Sequence, residues 1–423
     1  MKGIIVDWID TLASIPSDWL LCDGNNSTPN MLGKYPLGAG AGEDPGATGG
    51  STTHTHSSTA HTHTQDAHSH TGDTGVNEYW LVSSAYSLSV SHGNHYHSYT
   101  TNTTVATNQT TTVTTDSVSN DPAYYKVAPI IDNSVAGVKY PVNSLILWDR
   151  ETLPLFWEQH TESINKFLKY VDASENPGAT GGSATHTHTP NSHNHTQDGH
   201  THNGTTGAPT TINYVFAGEI SNAAASDNHT HNISAASTVA VNQSANITLD
   251  TVNGEPTFKK LLILKNTGIA NRPKYAIVKW SGTIANIPLG YVLCDGNNGT
   301  TDLRGYFEKG ALDSSEIGNT GGSSVHAHTA SSHNHTQNSH IHVVSSSGNA
   351  AYSYATGGTT RYYALWNHDH PSANSNSTTA TNQATTITVS NCSSQANYPP
   401  YYKVAYIMQD RDLDVGAYAF MIN

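Results

Sequence analysis

Twelve His-x-His triplets hold 24 of the chain's 26 histidines, and they fall into three matching sets of four. The first set is His54/His56, His61/His63, His68/His70 and His95/His97. The second is His186/His188, His193/His195, His200/His202 and His229/His231, and the third is His326/His328, His333/His335, His340/His342 and His368/His370. In each set the first three triplets start seven residues apart, and the fourth follows after a longer gap of similar length. Such spacing reads as a threefold internal repeat whose histidines are ligands. In an extended chain, residues i and i+2 share a face, so one triplet presents two imidazoles to one point. A transition ion taking six imidazoles then needs three such strands around an axis, and imidazole suits iron, nickel, copper and zinc. A seven-residue step would turn the next pair outward in a regular strand, so the five residues between triplets must carry a twist. Seven residues span at most about 23 to 25 Å, which describes a slender needle with metals along its axis. Thr, Ser and Asn side chains can hydrogen-bond between its strands where no apolar core fits.

The same repeat is visible outside the histidines. Each block is introduced by GATGGS from Gly46, GATGGS from Gly178 or GNTGGS from Gly318. Before it comes a short apolar strand ending in Trp8, Trp148 or Trp280, and after it an apolar closing strand, YYKVAPII, FKKLLIL or YYKVAYIM. Thr/Asn/Val stretches containing Asn108-Gln109, Asn242-Gln243 and Asn382-Gln383 precede the closing strands. Segments 132–140 and 265–272 read as linkers. Repeat two is degenerate at its opening: LPLFWEQHTESINKFLKYVDASENPGATGG lacks the Cys-Asp-Gly turn of the other two, and Ser163 to Val171 has the composition of a helix. His92 and His160 lie outside the pattern and read as ordinary polar residues.

Only 12% of residues are charged and 35% hydrophobic, so the chain is not mostly one large core, and part of it must be fibrous. A net charge of -14 with neutral histidines, and the lack of any Lys/Arg run, point away from nucleic acid and toward a protein or glycan partner. The N-terminal stretch is interrupted by Asp7, Asp10 and Asp18, unlike a signal peptide, and no 18-residue apolar run offers a membrane span. Synthesis in a cytosol is the expectation. Cys22 and Cys294 occupy equivalent repeat positions and Cys392 stands alone, which reads as reduced thiols.

The phrases IPSDWLLCDG and IPLGYVLCDG, together with TDLRGYFEKG from Thr301 to Gly310, resemble the phage tail-collar family. The likeness is fullest in repeat three; NMLGKYPLG replaces the DLRG part in repeat one, and repeat two departs most. The His-x-His blocks resemble the receptor-binding tip of T-even long tail fibres, in which three chains leave a collar, run along a needle of octahedral iron, form a small head and return. That resemblance covers most of the chain and implies a mainly β protein of three tandem collar-needle-head repeats, forming a threefold or pseudo-threefold fibrous tip. Repeat one then covers 1–131, with collar strands in 1–50 and 120–131, needle in 51–70 and 95–119, and head in 71–94. Repeat two covers 140–264 (needle 183–202 and 229–254, head 203–228), and repeat three covers 273–410 (needle 323–342 and 368–397, head 343–367), before a tail at 411–423. The family tip is a homotrimer of one-unit chains. Three units in tandem allow one chain to form a pseudo-trimer, with a homotrimer as the alternative.

The expected cofactor is a transition metal, ferrous iron by the resemblance, at about four ions per chain when 24 histidines are shared six to an ion. Six imidazoles leave no open position for substrate, so the metals are expected to be structural and the protein not an enzyme. The heads carry Tyr79, Trp80 and Tyr86, then Tyr214 and Phe216, then Tyr352, Tyr354, Tyr362, Tyr363 and Trp366. Aromatics on loops suit a host receptor, whether glycan or outer-membrane protein, although packing at the tip would also account for them. The expectation is therefore a virion tail-fibre or tail-tip protein, assembled in the bacterial cytoplasm beside other tail proteins. A His-rich metal-storage or scavenging protein is the alternative of another class.

Overall fold

The computed structural model describes residues 3–57, 69–74, 80–81, 90–91, 97–101, 112–134, 139–193, 195–197, 201–209, 215–216, 232–236, 240–241, 247–268, 272–331, 333, 343–346, 353–354, 363–364, 373–374 and 393–410. The protein is mainly β, and fifteen strands form one sheet that includes a closed eight-stranded barrel. Three opening strands, Ile4–Trp8, Ser144–Trp148 and Ile277–Trp280, pair antiparallel with one another. Each also pairs antiparallel with its own closing strand, respectively Tyr124–Asp132, Phe258–Asn266 and Tyr401–Gln409. Each closing strand then lies parallel to a strand from the next repeat. Tyr124–Asp132 meets Phe167–Tyr170, Phe258–Asn266 meets Phe307–Gly310, and Tyr401–Gln409 returns to Tyr35–Gly38. The last of these joins the end of the chain to its beginning, and closure removes sheet edges that would otherwise pair with other chains.

These strands read as continuous apolar runs because both faces are buried. Ile4, Val6 and Trp8 enter one core with Ile146, Trp148, Val278 and Ile407, whereas Ile5 faces a second core with Leu145, Leu147, Ile277 and Met408. Each fully buried aliphatic side chain contributes about 1.5–3 kcal/mol. The strand-ending tryptophans share one further device: the indole N–H of Trp8, Trp148 and Trp280 donates to the carbonyl of Thr11, Thr152 and Thr283 at 3.0, 3.1 and 3.0 Å.

The recurrent Thr-Gly-Gly phrase has a steric cause. Thr48–Gly49, Thr180–Gly181 and Thr320–Gly321 pair with the closing strands, and a Cβ on Gly49, Gly181 or Gly321 would strike the ring of Tyr401, Tyr124 or Phe258. The following glycines, Gly50, Gly182 and Gly322, have φ of +77°, +70° and +70°, and a Cβ there would lie 2.0 Å from a proline carbonyl oxygen. No other residue fits either position.

Repeat two keeps the barrel geometry that its sequence obscures. Trp157–Gln159 pairs with Phe258–Asn266 as Trp19–Leu21 pairs with Tyr124–Asp132 and Tyr291–Leu293 with Tyr401–Gln409. The helix expected over Ser163 to Val171 is not formed: a 3-10 turn at Thr161–Ser163 leads into the strand Phe167–Tyr170. Phe167, Leu168, Tyr170 and Val171 are buried, so tertiary packing overrides the local helix preference. At the described ends of the expected linkers, Tyr140, Asn266 and Arg272 are buried and Arg272 pairs with Asp132 at 2.7 Å.

Charges also cross between repeats. Lys126 pairs with Glu175 at 2.5 Å, Lys260 with Glu316 at 2.7 Å and Lys403 with Glu43 at 2.5 Å, each reaching the repeat that follows. A buried set departs from this regularity. The residues before the three tryptophans are Asp7, Leu147 and Lys279. Lys279 Nζ contacts Asp7 and also Glu308, the latter at 2.7 Å, with all three side chains 2% exposed. Tyr406 donates its hydroxyl to Glu308.

Candidate metal centre

Each repeat brings its first His-x-His triplet up against a returning segment of the same repeat. Thr53–His54 pairs with Val118–Ser119, Thr185–His186 with Val252–Asn253, and Val325–His326 with Gln395–Ala396. The extended backbone turns both imidazoles of every triplet to one side. Six rings, His54, His56, His186, His188, His326 and His328, meet there edge to face, with centroids 4.6 to 5.2 Å apart. Every ring touches the others except one opposite it. The opposed pairs are His54 with His328, His56 with His186, and His188 with His326, and no residue is shared between them. That is the adjacency of an octahedron's six corners.

The nitrogen distances agree. His54 Nε2 and His326 Nε2 are 3.1 Å apart, while His56 to His326, His186 to His326 and His188 to His54 are each 3.0 Å. Adjacent ligands of an octahedron stand √2 times the metal–ligand distance apart, so nitrogens about 2.1 Å from an ion lie about 3.0 Å from each other. A tetrahedral site of the same bond length would separate them by about 3.4 Å.

Hydrogen bonds on the far side of the rings decide what these nitrogens carry. His56 Nδ1 donates to the Ser393 carbonyl at 2.6 Å, His188 Nδ1 to the Asp116 carbonyl at 2.9 Å and His328 Nδ1 to the Asp250 carbonyl at 2.8 Å. Because a carbonyl can only accept, each neutral ring has its proton on Nδ1 and a lone pair on Nε2. His326 Nδ1 faces Asn397 Oδ1, since the Asn397 amide nitrogen is used on the Ser323 carbonyl at 3.0 Å, while His54 Nδ1 is buried without a hydrogen-bond partner, with the Asn120 side chain beside it. Inward-facing lone pairs at 3.0 Å repel unless a cation lies between them. The ligand nitrogens of His54, His56, His186, His188 and His326 all lie within 4.8 Å of one another, while His328, whose ring completes the set, stands outside that group with its Nε2 buried and without a hydrogen-bond partner. Proton sharing is disfavoured: burial first, then neighbouring imidazoles, push His54 down to about 4 and His186 to about 3. Burial also lowers His56 to about 4 against the pull of its carbonyl partner, and it lowers His188 and His326. The donor set therefore fits a transition ion.

Further along the chain other expected ligands come together among the described residues. His193, His195 and His333 form a second group, with His193 Nε2 3.1 Å from His333 Nε2. Between the first two levels in sequence lies Ala330, buried with Val113 and Ile247 in a small apolar cluster drawn from all three repeats. The rings of His70 and His202 touch at 5.0 Å. His97 is buried on the strand His97–Thr101, which pairs with Thr201–Pro209. His61, His63, His68, His95, His200, His229, His231, His335, His340, His342, His368 and His370 lie outside the described residues, as do His92 and the three Asn-Gln pairs.

Of the aromatic candidates, Trp80, Phe216, Tyr354 and Tyr363 fall on short strands. Trp80–Leu81 and Val215–Phe216 both pair with Val90–Ser91, and Ser353–Tyr354 pairs with Tyr363–Ala364. Tyr79, Tyr86, Tyr214, Tyr352, Tyr362 and Trp366 are outside the described residues. His160, set apart from the ligand pattern, is buried, and its Nε2 stands 3.3 Å from Glu162.

The reading of the sequence missed the outer partners of the site. Asn120 and Asn397 lie two residues before the prolines whose carbonyls meet Gly182 and Gly50, and the matching position before Pro256 is Gly254. The carbonyl acceptors Asp116, Asp250 and Ser393 also recur, four residues before that position in each repeat. This fixed offset was the available signal. Among the described residues no helix is long and apolar enough to cross a membrane. Comparison with protein-family models, with curated proteins and with solved structures finds no match.

Proposed function

We propose that this chain is a structural, receptor-binding tip of a phage tail fibre or tail, in which the barrel is the collar of a needle threaded by transition-metal ions. The convergence of three His-x-His triplets, one from each repeat, on a single octahedral arrangement carries the reading. Repetition of that arrangement at the later triplets gives about four ions per chain, with ferrous iron favoured by the family resemblance. Six imidazoles fill the coordination of each ion, so the role of the metal is to hold three strands together where little apolar core is available. The chain acts as a scaffold, not as an enzyme. A storage protein would gain nothing from tautomers fixed by three separate backbone carbonyls, which favours the structural role.

One chain supplies all three repeats. Asp7 and Lys279 come from opening strands of different repeats and meet Glu308 in the core, and their counterpart in repeat two is Leu147. A trimer built from three copies of one repeat would bring like residues together at these positions, three lysines or three aspartates, at a large desolvation cost. The heads, with Trp80, Phe216, Tyr354, Tyr363 and their neighbours, would then meet a glycan or outer-membrane protein of the host. Other tail proteins would hold the collar in a virion assembled in the bacterial cytoplasm.

Elemental analysis with light scattering tests this directly. The expected result is about four transition ions per chain at the monomer mass of 45.1 kDa. Near-zero or variable metal would reject the needle, and a mass three times larger would reject the single-chain arrangement. Saturable binding of the metal-loaded protein to host cells is the expected functional result.

A further inference from the structure

We propose that His186 is the opening ligand of the first metal site, the imidazole through which an ion enters and leaves. The proposal rests on the metal reading above and concerns how unequally the three repeats support it. Four of the six rings are held from behind by hydrogen bonds, and a fifth has a side chain beside it. His56, His188 and His328 are fixed by the carbonyls of Ser393, Asp116 and Asp250, and His326 by the side chain of Asn397; His54 Nδ1 is buried without a hydrogen-bond partner, with the Asn120 side chain beside it. For His186, no group among the described residues accepts a hydrogen bond from Nδ1.

The cause is one residue. The backbone N–H groups of Asn120, Gly254 and Asn397 donate to the carbonyls of Thr52, Ala184 and Ser324, each two residues before the first histidine of its triplet, so the three positions are equivalent. Repeat two has glycine where the other two have asparagine, and the His186 ring occupies the room left by the missing side chain. A Cβ on Gly254 would lie 2.6 Å from His186 Nδ1. Outer partners of a ligating histidine typically change metal affinity by about 10- to 100-fold. His186, with neither a hydrogen bond nor a side chain behind it among the described residues, can therefore turn away from the ion while the other five remain in place.

The test uses the full chain loaded with ferrous iron, with release followed by colour on transfer to excess bipyridine. Wild-type iron content is measured first: absent iron would sink the metal reading and this proposal together, whereas the remaining arms address His186 in loaded protein. Gly254→Asn is expected to slow release of one ion's share by about 10-fold, the ring moving back as it does beside Asn120 and Asn397. Asn397→Gly is expected to hasten the same share by a similar factor. Should Gly254→Asn fail to fold, carbethoxylation of the loaded wild type with peptide mapping serves instead. His186 should be modified before His54 and His326, with loss of one ion. Equal release from wild type and Asn397→Gly, or modification of His54 or His326 first, would overturn the assignment.

Discussion

In the barrel, Ile4, Ile146 and Val278 come from three repeats and meet in a dry apolar core. At the first histidine level, His54, His186 and His326 also come from three repeats, but they bring lone pairs toward one another. The same chain topology is thus closed in one place by removing apolar surface from water and in the other by an arrangement that needs a cation. The difference teaches where each part gets its stability. Burial is available to the barrel at all times, whereas among the described residues the histidine region has only two small apolar clusters beyond its ring contacts, Val113 with Ile247 and Ala330, and Tyr99 with Ile233.

Metal removal is the largest way to separate the two. Structural transition-metal sites can contribute about 10–16 kcal/mol each. Chelation is expected to abolish hydrogen-exchange protection at residues 113–120 and 185–188 while residues 4–8 and 124–132 keep theirs. Simultaneous loss of protection in both regions would show that they form one cooperative unit and would break the comparison.

The two regions also differed in how readily the sequence disclosed them. The triplets announce the ligands because a period-2 pair on an extended strand has one geometric meaning, and the first level is assembled from the expected triplets. The opening and closing strands are legible from continuous runs such as IIVDW and SLILW. Repeat two was misread because its opening turn is built from other residues: Phe156 takes the positive φ, +67°, that Gly290 takes at +91°. Composition therefore hid a preserved geometry. The buried Asp7–Lys279–Glu308 set was illegible for another reason. A lone charge in an apolar strand gives no sign of its partner, and these partners are separated by hundreds of residues or lie on a different strand. The outer asparagines were hidden among many similar Asn and Thr residues, where only the offset from a proline marks them.

Lys279→Leu sharpens the comparison from the barrel side. It places at this position the residue found in repeat two, but leaves Asp7 and Glu308 buried without their cation, which typically costs about 3–5 kcal/mol. Chemical denaturation of the barrel should shift by that amount while the iron content stays at the wild-type value. An unchanged midpoint would mean that the two carboxylates share a proton and need no lysine. A fall in iron would mean that the barrel sets the geometry of the column.

Acid should move the two regions in opposite directions. His54 and His56 titrate near 4 and His186 near 3 in the fold, below the ordinary histidine value of 6.5, because burial opposes their charge. The unfolded chain then binds more protons, so the column keeps its stability above about pH 6.5 and loses it as the pH falls toward 4. Glu308 is pushed up to about 7 by burial against the pull of Lys279, so here the folded state binds the extra proton. Its contribution grows as the pH falls from 7 toward the ordinary glutamate range. Metal loss between pH 6.5 and 4.5 without weakening of the barrel is the expected outcome of a paired titration by elemental analysis and tryptophan fluorescence. Parallel losses would contradict the sign argument.

The smallest effect on the fold is expected in the small sheet that carries the head aromatics. Trp80–Leu81 and Val215–Phe216 share the strand Val90–Ser91, so aromatics from two repeats stand on one small sheet, to which no barrel strand is hydrogen-bonded among the described residues. Loops and short strands carried by a rigid support are where recognition residues are placed, and truncating an aromatic hot spot typically costs about 2 kcal/mol or more in binding. Trp80→Ala and Trp366→Ala should therefore leave iron content and barrel unfolding within about 0.5 kcal/mol of wild type, as for changes away from a packed core. Binding to host cells should fall by about 30-fold for whichever residue is a hot spot. If both variants bind as wild type and remain folded, these aromatics close the tip by packing on one another, and the receptor surface must be sought elsewhere on the molecule.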